Sequence, residues 1–192
     1  MKTGKIGNIG FHVLLVALCV VIPSGLNAQS GRPFVPKDFQ VPDKLETERF
    51  RLRMLTVNDV VKDYDAVMTS VEHLRGVFGP QSTWPKPELT LEQDLIDLGW
   101  HHKEFQRRRS FAYTVMDPPE SECLGCVYIV PTRKRGYDAE VYLWVRASEF
   151  KKGLDAALYD AVKSWVEKGW PFKKVAYPGR DIGWEAWESL PE

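Results

Sequence analysis

DAEVYLWVRASEFKKGLDAALYDAVKSW, residues 138–165, is the stretch whose reading decides the fold. Ala139 to Arg146 is apolar enough for a buried strand. Phe150, Lys151, Lys152 and Gly153 then make a basic turn. Leu154, Leu158, Ala161/Val162 and Trp165 recur at helical spacing, and Gly169 is the expected stop. A helix start carries unpaired N–H groups and the positive end of the macrodipole, so the turn is suited to an anion such as phosphate. Gly153 lets backbone approach a ligand closely.

Working outward, Lys173 to Tyr177 reads as a short final strand, and 181–192 is a short Trp-rich end. Cys123 to Val130 is a continuous apolar run, expected as a central strand buried on both faces. Phe111, Tyr113 and Val115 alternate with Ser110, Ala112 and Thr114 in another strand. Leu45 to Leu55 alternates Phe50, Leu52 and Met54 against Arg49, Arg51 and Arg53, as a half-buried strand does. Two helices lie between. Thr56 with Asp59 caps one, carrying Val60, Tyr64, Val67, Val71, Leu74 and Phe78. Thr90 with Gln93 caps the other, striped by Leu91, Leu95, Leu98, His102 and Phe105. The order β-α-α-β-β-β-α-β predicts a single α/β domain with a mixed, mostly antiparallel central sheet flanked by helices.

The beginning of the chain has a different character. Lys2 and Lys5 precede an apolar run from Phe11 to Ile22, which Pro23, Ser24 and Gly25 break before Ala28. This predicts an export signal over residues 1–28, with an uncleaved anchor as the alternative; the run is short of the ~20 residues of a membrane span. Both readings place the domain outside the cytoplasm, with no stable membrane span once the signal is cleaved. Residues 29–44, with Pro33, Pro36 and Pro42, read as an extended linker, and 45–192 as the domain. Formal net charge is zero, and losing two lysines turns it mildly acidic, which speaks against nucleic acid as a partner. All seven tryptophans follow residue 28 and suit a compact core or a lined cleft.

The same residues resemble the GNAT superfamily of acyl-CoA-dependent N-acetyltransferases. Leu45-Glu46-Thr47-Glu48-Arg49-Phe50-Arg51-Leu52-Arg53 is similar to the LxTxRLxLR opening strand of many such proteins. Leu124-Gly125-Cys126-Val127-Tyr128-Ile129 is similar to their central strand. Trp144-Val145 with Phe150-Lys151-Lys152-Gly153-Leu154 resembles the strand, turn and helix that grip the coenzyme. The resemblance covers residues 45 to about 180. It implies a fork between two neighbouring strands, acetyl-CoA as co-substrate, no metal, and a primary amine on a small molecule or peptide as acceptor. Trp144, Val145, Arg146, Lys151, Lys152, Gly153 and Leu154 would then contact the coenzyme. Glu140 would serve as base and Tyr142 as acid, with Tyr128 and Tyr177 as other acids to weigh.

The chain departs from that family in two places. Its loop pattern Q/R-x-x-G-x-G/A has Phe150 at the first position and Asp155 at the last, where an acid beside pyrophosphate is unfavourable. The C-terminal end is also short, so an acid carried on a later helix has no matching position. The chain therefore reads as a divergent member. An exported binding or structural module without catalysis is the competing function, favoured by export because acetyl-CoA is a charged cytoplasmic metabolite.

Other residues carry blander expectations. Cys123 and Cys126 form a CxxC, but three residues of extended strand span ~10 Å and face opposite sides. They are expected as two buried thiols, bridged only if Leu124-Gly125 turns, and no second CxxC or His pair supports zinc. His102, on the apolar stripe, is expected in the core. Trp184 and Trp187 would either cover a sheet edge or form a homodimer patch.

Overall fold

The computed structural model describes residues 33–192. The export signal expected over residues 1–28 lies outside the described residues. Six strands form one sheet in the order β1-β2-β3-β4-β5-β6: β1 (Lys44–Glu46), β2 (Arg51–Met54), β3 (Phe111–Met116), β4 (Cys123–Pro131), β5 (Ala139–Val145) and β6 (Val175–Ala176). All neighbours run antiparallel except β5 and β6, which are parallel. Helices α1 (Val60–Met68), α2 (Val71–Leu74) and α3 (Leu91–Gln106) precede β3; α4 (Ala147–Phe150) and α5 (Leu154–Gly169) follow β5, and α6 (Trp184–Ser189) ends the chain.

The sheet separates two cores. Phe50, Leu52, Phe111, Tyr113, Val127, Leu143 and Val145 pack with Leu154, Leu158, Val162 and Val166 of α5. On the other face Ala112, Met116, Cys126, Tyr128 and Trp144 meet Ala66 and Val67 of α1, Leu74 of α2 and Leu98 of α3. The predicted stripe of α5 is thus its buried face. Every residue of β3 is buried, since helices cover both sides, where alternation alone suggested one.

Local signals place several boundaries. The Thr56–Asp59 capping box forms, with the Thr56 N–H donating to Asp59 Oδ2 at 2.9 Å. Thr90 Oγ1 accepts from the Gln93 N–H at 3.2 Å and starts α3. Three expectations need correction. Leu45 to Leu55 is a hairpin, β1 and β2, because Thr47 Oγ1 accepts from the Phe50 N–H and turns the chain. The expected single helix from Val60 breaks at Ser70 and ends at Leu74, so Phe78 lies in a loop. In α3 the buried face is Asp94, Leu98 and Glu104, while Leu91 and Leu95 are exposed. His101, not His102, packs on the Tyr128 ring at 5.0 Å, and burial lowers its pKa to about 4. The proline-rich segment is extended and lies on the core, with Val35 only 2% exposed and Phe39 against Trp170.

Candidate active site

β5 and β6 pair through only two rungs, Ala139 with Val175 and Glu140 with Ala176. Beyond them Tyr177-Pro178-Gly179-Arg180 leaves the sheet, turning back through a bridge between Pro178 and Ile182. Parallel strands that part in this way leave main-chain groups of β5 without a neighbouring strand. A cavity of about 290 Å³ opens at the fork, walled by Tyr142 to Val145 on one side and Pro178 to Arg180 on the other. Residues 73–77, Phe150, Asp155 and Trp184 complete its wall.

Tyr142 and Trp144 line the cavity from the same face of β5. The Tyr142 hydroxyl donates to Glu140 Oε2 at 2.5 Å, and its ring stacks on Trp184 at 6.2 Å. Burial, then this carboxylate, holds the phenol above its ordinary pKa, so it is a proton donor throughout the neutral range. Glu140 sits one rung back, where β5 still pairs with β6, and reaches the cavity through Tyr142.

The turn before α5 places its residues differently. Gly153 adopts φ +74°, the left-handed conformation, and no atom lies within 4 Å of where a Cβ would stand. Lys151 and Lys152 are exposed; Lys152 Nζ is 2.6 Å from Glu149, and its carbonyl accepts from Arg49. Leu154 is buried in the core under α5, so only its main chain belongs to the helix start. Val145 lines the cavity, whereas Arg146 turns to α1, donating to Asp65 at 2.9 Å and to Thr69 at 3.1 Å.

Arg180 was not singled out from the sequence. Its guanidinium donates to both oxygens of Asp155, at 2.9 and 2.8 Å, and to the Leu143 carbonyl at 3.3 Å. One side chain thus spans the fork from β5 to the first turn of α5. It also answers the objection raised by Asp155: the acid at the helix start is neutralised by a bidentate partner. The only sequence signal was the acid itself, standing where an uncompensated charge is costly. Trp184, expected at a sheet edge or a homodimer patch, lines the cavity, while Trp187 packs on Tyr137 at 5.3 Å.

A second polar group lies in the core. Met116 pairs with Cys123 and Val115 with Gly125, so Leu124 is an extra residue, a β-bulge. The bulge resets the alternation: Leu124 faces α5 and both cysteines face α1. This overturns the expectation that the thiols point to opposite sides. Cys126 Sγ donates to Asp63 Oδ1 at 3.2 Å and Cys123 Sγ at 3.9 Å. Both thiols are free and wholly buried. Burial raises the Asp63 carboxyl to about 6 although the thiols oppose it.

No protein-family model matches the sequence, and neither does any curated protein. Solved structures do match. The ribosomal-protein-S5-alanine acetyltransferase from Vibrio fischeri is 18% identical, with a TM-score of 0.52 over 65% of this chain and 67% of that one. RimL, a ribosomal L7/L12 alpha-N-protein acetyltransferase solved with coenzyme A, is 15% identical, with a TM-score of 0.51 over 66% of each chain. The microcin C7 self-immunity acetyltransferase MccE, solved with acetyl-CoA and AMP, is 10% identical, with a TM-score of 0.50 over 67% and 69%. At such identities the likeness is one of architecture: this chain has the curled, helix-flanked mixed sheet of the GNAT acetyltransferase fold.

Proposed function

We propose that this chain is an N-acyltransferase that moves an acyl group from acyl-CoA to a primary amine of a small molecule or peptide. The observation that carries the reading is the fork. Strands β5 and β6 part after two rungs, and the first turn of α5 lies against the cavity they leave. Main-chain N–H groups of β5 near Val145 are suited to a thioester oxygen, and the start of α5 to a phosphate. Tyr142 lines that cavity as a protonated phenol and can supply a proton to a leaving thiolate. Glu140, hydrogen-bonded to it, is the base that takes up the proton lost by the attacking amine, so the pair gains one proton for the one Tyr142 gives to the thiolate. Acetyltransferases of the same fold, one solved with coenzyme A and one with acetyl-CoA, support the choice of donor.

A second reading has its own observation. The Arg180–Asp155 pair and the bond to the Leu143 carbonyl already engage main chain inside the fork. Together with the expected export, this favours a non-catalytic binding module outside the cytoplasm. Thermal unfolding with and without acetyl-CoA separates the two. Ligand at a hundred times its Kd stabilises the folded state by about 2.7 kcal/mol. A shift of that order, lost in Gly153→Trp, supports acyl transfer; no shift at millimolar acetyl-CoA overturns it.

A further inference from the structure

The bulge at Leu124 brings three metal-ligating side chains to one place beneath the sheet. Asp63 comes from α1, and Cys123 and Cys126 from β4. One ligand atom from each lies within 4.8 Å of the others. In a tetrahedral zinc site with Zn–S near 2.3 Å, neighbouring ligand atoms stand about 3.8 Å apart. The two sulfur–oxygen edges, 3.2 and 3.9 Å, lie on either side of that spacing.

Among the described residues no basic side chain pairs with the carboxylate of the cluster, and Asp63 is 4% exposed. Arg53 pairs with Asp59 and Glu120, and Arg146 with Asp65. Asp94, 4% exposed on α3, adds a second buried carboxylate, whose Oδ2 has no hydrogen-bond partner among the described residues. Thiol donors alone are weak partners for a buried carboxylate, and an unpaired buried charge costs several kcal/mol.

We infer that Asp63, Cys123 and Cys126 form a binding site for a thiophilic divalent cation of the zinc class. Two S–H bonds break on binding, the protons leave to solvent, and two thiolates with one carboxylate hold the ion. A water molecule takes the remaining position, as in three-ligand zinc sites. The site is distinct from the fork and ties α1 to the central strand. It gives physical purpose to a bulge and a CxxC that acyl transfer does not use.

The test uses the full chain with Cys19→Ser, so that Cys123 and Cys126 are the remaining thiols. The protein is unfolded and refolded with a phosphine reductant and one equivalent of Co2+, which removes any barrier to entry. The expected result is one Co2+ per folded chain, with a near-ultraviolet thiolate-to-cobalt absorption and intense visible bands of tetrahedral cobalt, both displaced by Zn2+. Cys126→Ala should weaken binding at least about 100-fold, and Asp63→Asn about 10-fold while keeping the thiolate band. Wild-type protein that refolds, by far-ultraviolet circular dichroism, without a thiolate-to-cobalt band overturns the site. So does a cobalt stoichiometry that is unchanged in the double variant Cys123→Ala/Cys126→Ala. If the variants do not fold, the wild-type spectrum and stoichiometry decide alone.

Discussion

Burial raises the Asp94 carboxyl to about 7, with repulsion from Asp63 adding to it. A carboxyl whose folded pKa lies above its unfolded value binds its proton more tightly when folded. Its contribution to stability is complete below about pH 4 and is lost as pH rises through 7. Asp94→Asn should therefore leave thermal stability near that of the parent at pH 4. At pH 8, with a chelator present, it should raise stability by about 1–3 kcal/mol. Equal effects at both pH values would show that Asp94 is not desolvated in the folded chain. His101 acts oppositely: its lowered pKa holds it neutral, and that stabilisation fades as pH falls towards 4. At the fork, the Arg180–Asp155 pair is about four-fifths buried on each side. Under the acyl-transfer reading, Arg180→Ala leaves Asp155 bare at the start of α5, so acetyl-CoA affinity should fall at least about tenfold. A double-mutant cycle with Asp155→Ala, read by chemical denaturation, should give a coupling of about 1 kcal/mol.

Strand β4 depends on one glycine. A Cβ on Gly125 would stand 1.9 Å from the Trp144 carbonyl oxygen of β5, closer than any packing allows. Neighbouring main chain, not a flexible side chain, is in the way, so repacking cannot relieve it. Gly125→Ala should destabilise the protein by more than about 3 kcal/mol, or prevent folding, as urea unfolding will report. The same glycine follows the bulge that turns both thiols towards α1, so local backbone and core chemistry have one origin here. Helix α3 offers a milder case: Thr90→Ala removes an N-cap bond and should cost about 1 kcal/mol.

In the molecule as a whole, the fork, the cavity and α5 form one site only because β6 is two residues long. Had β6 continued alongside Leu143 and Val145, the main chain of β5 would be paired and the cavity closed. Under the acyl-transfer reading, Tyr142→Phe keeps the wall and removes the proton, so kcat should fall about 100-fold with KM little changed in a coupled thiol-release assay. A large rise in KM instead would make Tyr142 a binding residue.

Much of this architecture was legible because periodicity reports burial. Helix α5 showed its core stripe, the 123–130 run showed a strand covered on both faces, and two capping boxes placed helix starts. These signals are local, carried by residues within a few positions of one another. Contacts between distant segments leave no such trace. Arg180 meets Asp155 across 25 residues, and Asp63 meets Cys126 across 63. Along α3, Leu91, Leu95 and Ile96 face outward while Asp94 is buried and His101 packs on Tyr128, an arrangement that spacing alone does not report. A bulge has no composition of its own, so the shared face of the two cysteines appears only once β3 and β4 are paired. Short-range spacing therefore set the elements and their order; the charge balance at the fork and the thiol–carboxylate cluster came from distant chain segments that meet only in the folded chain.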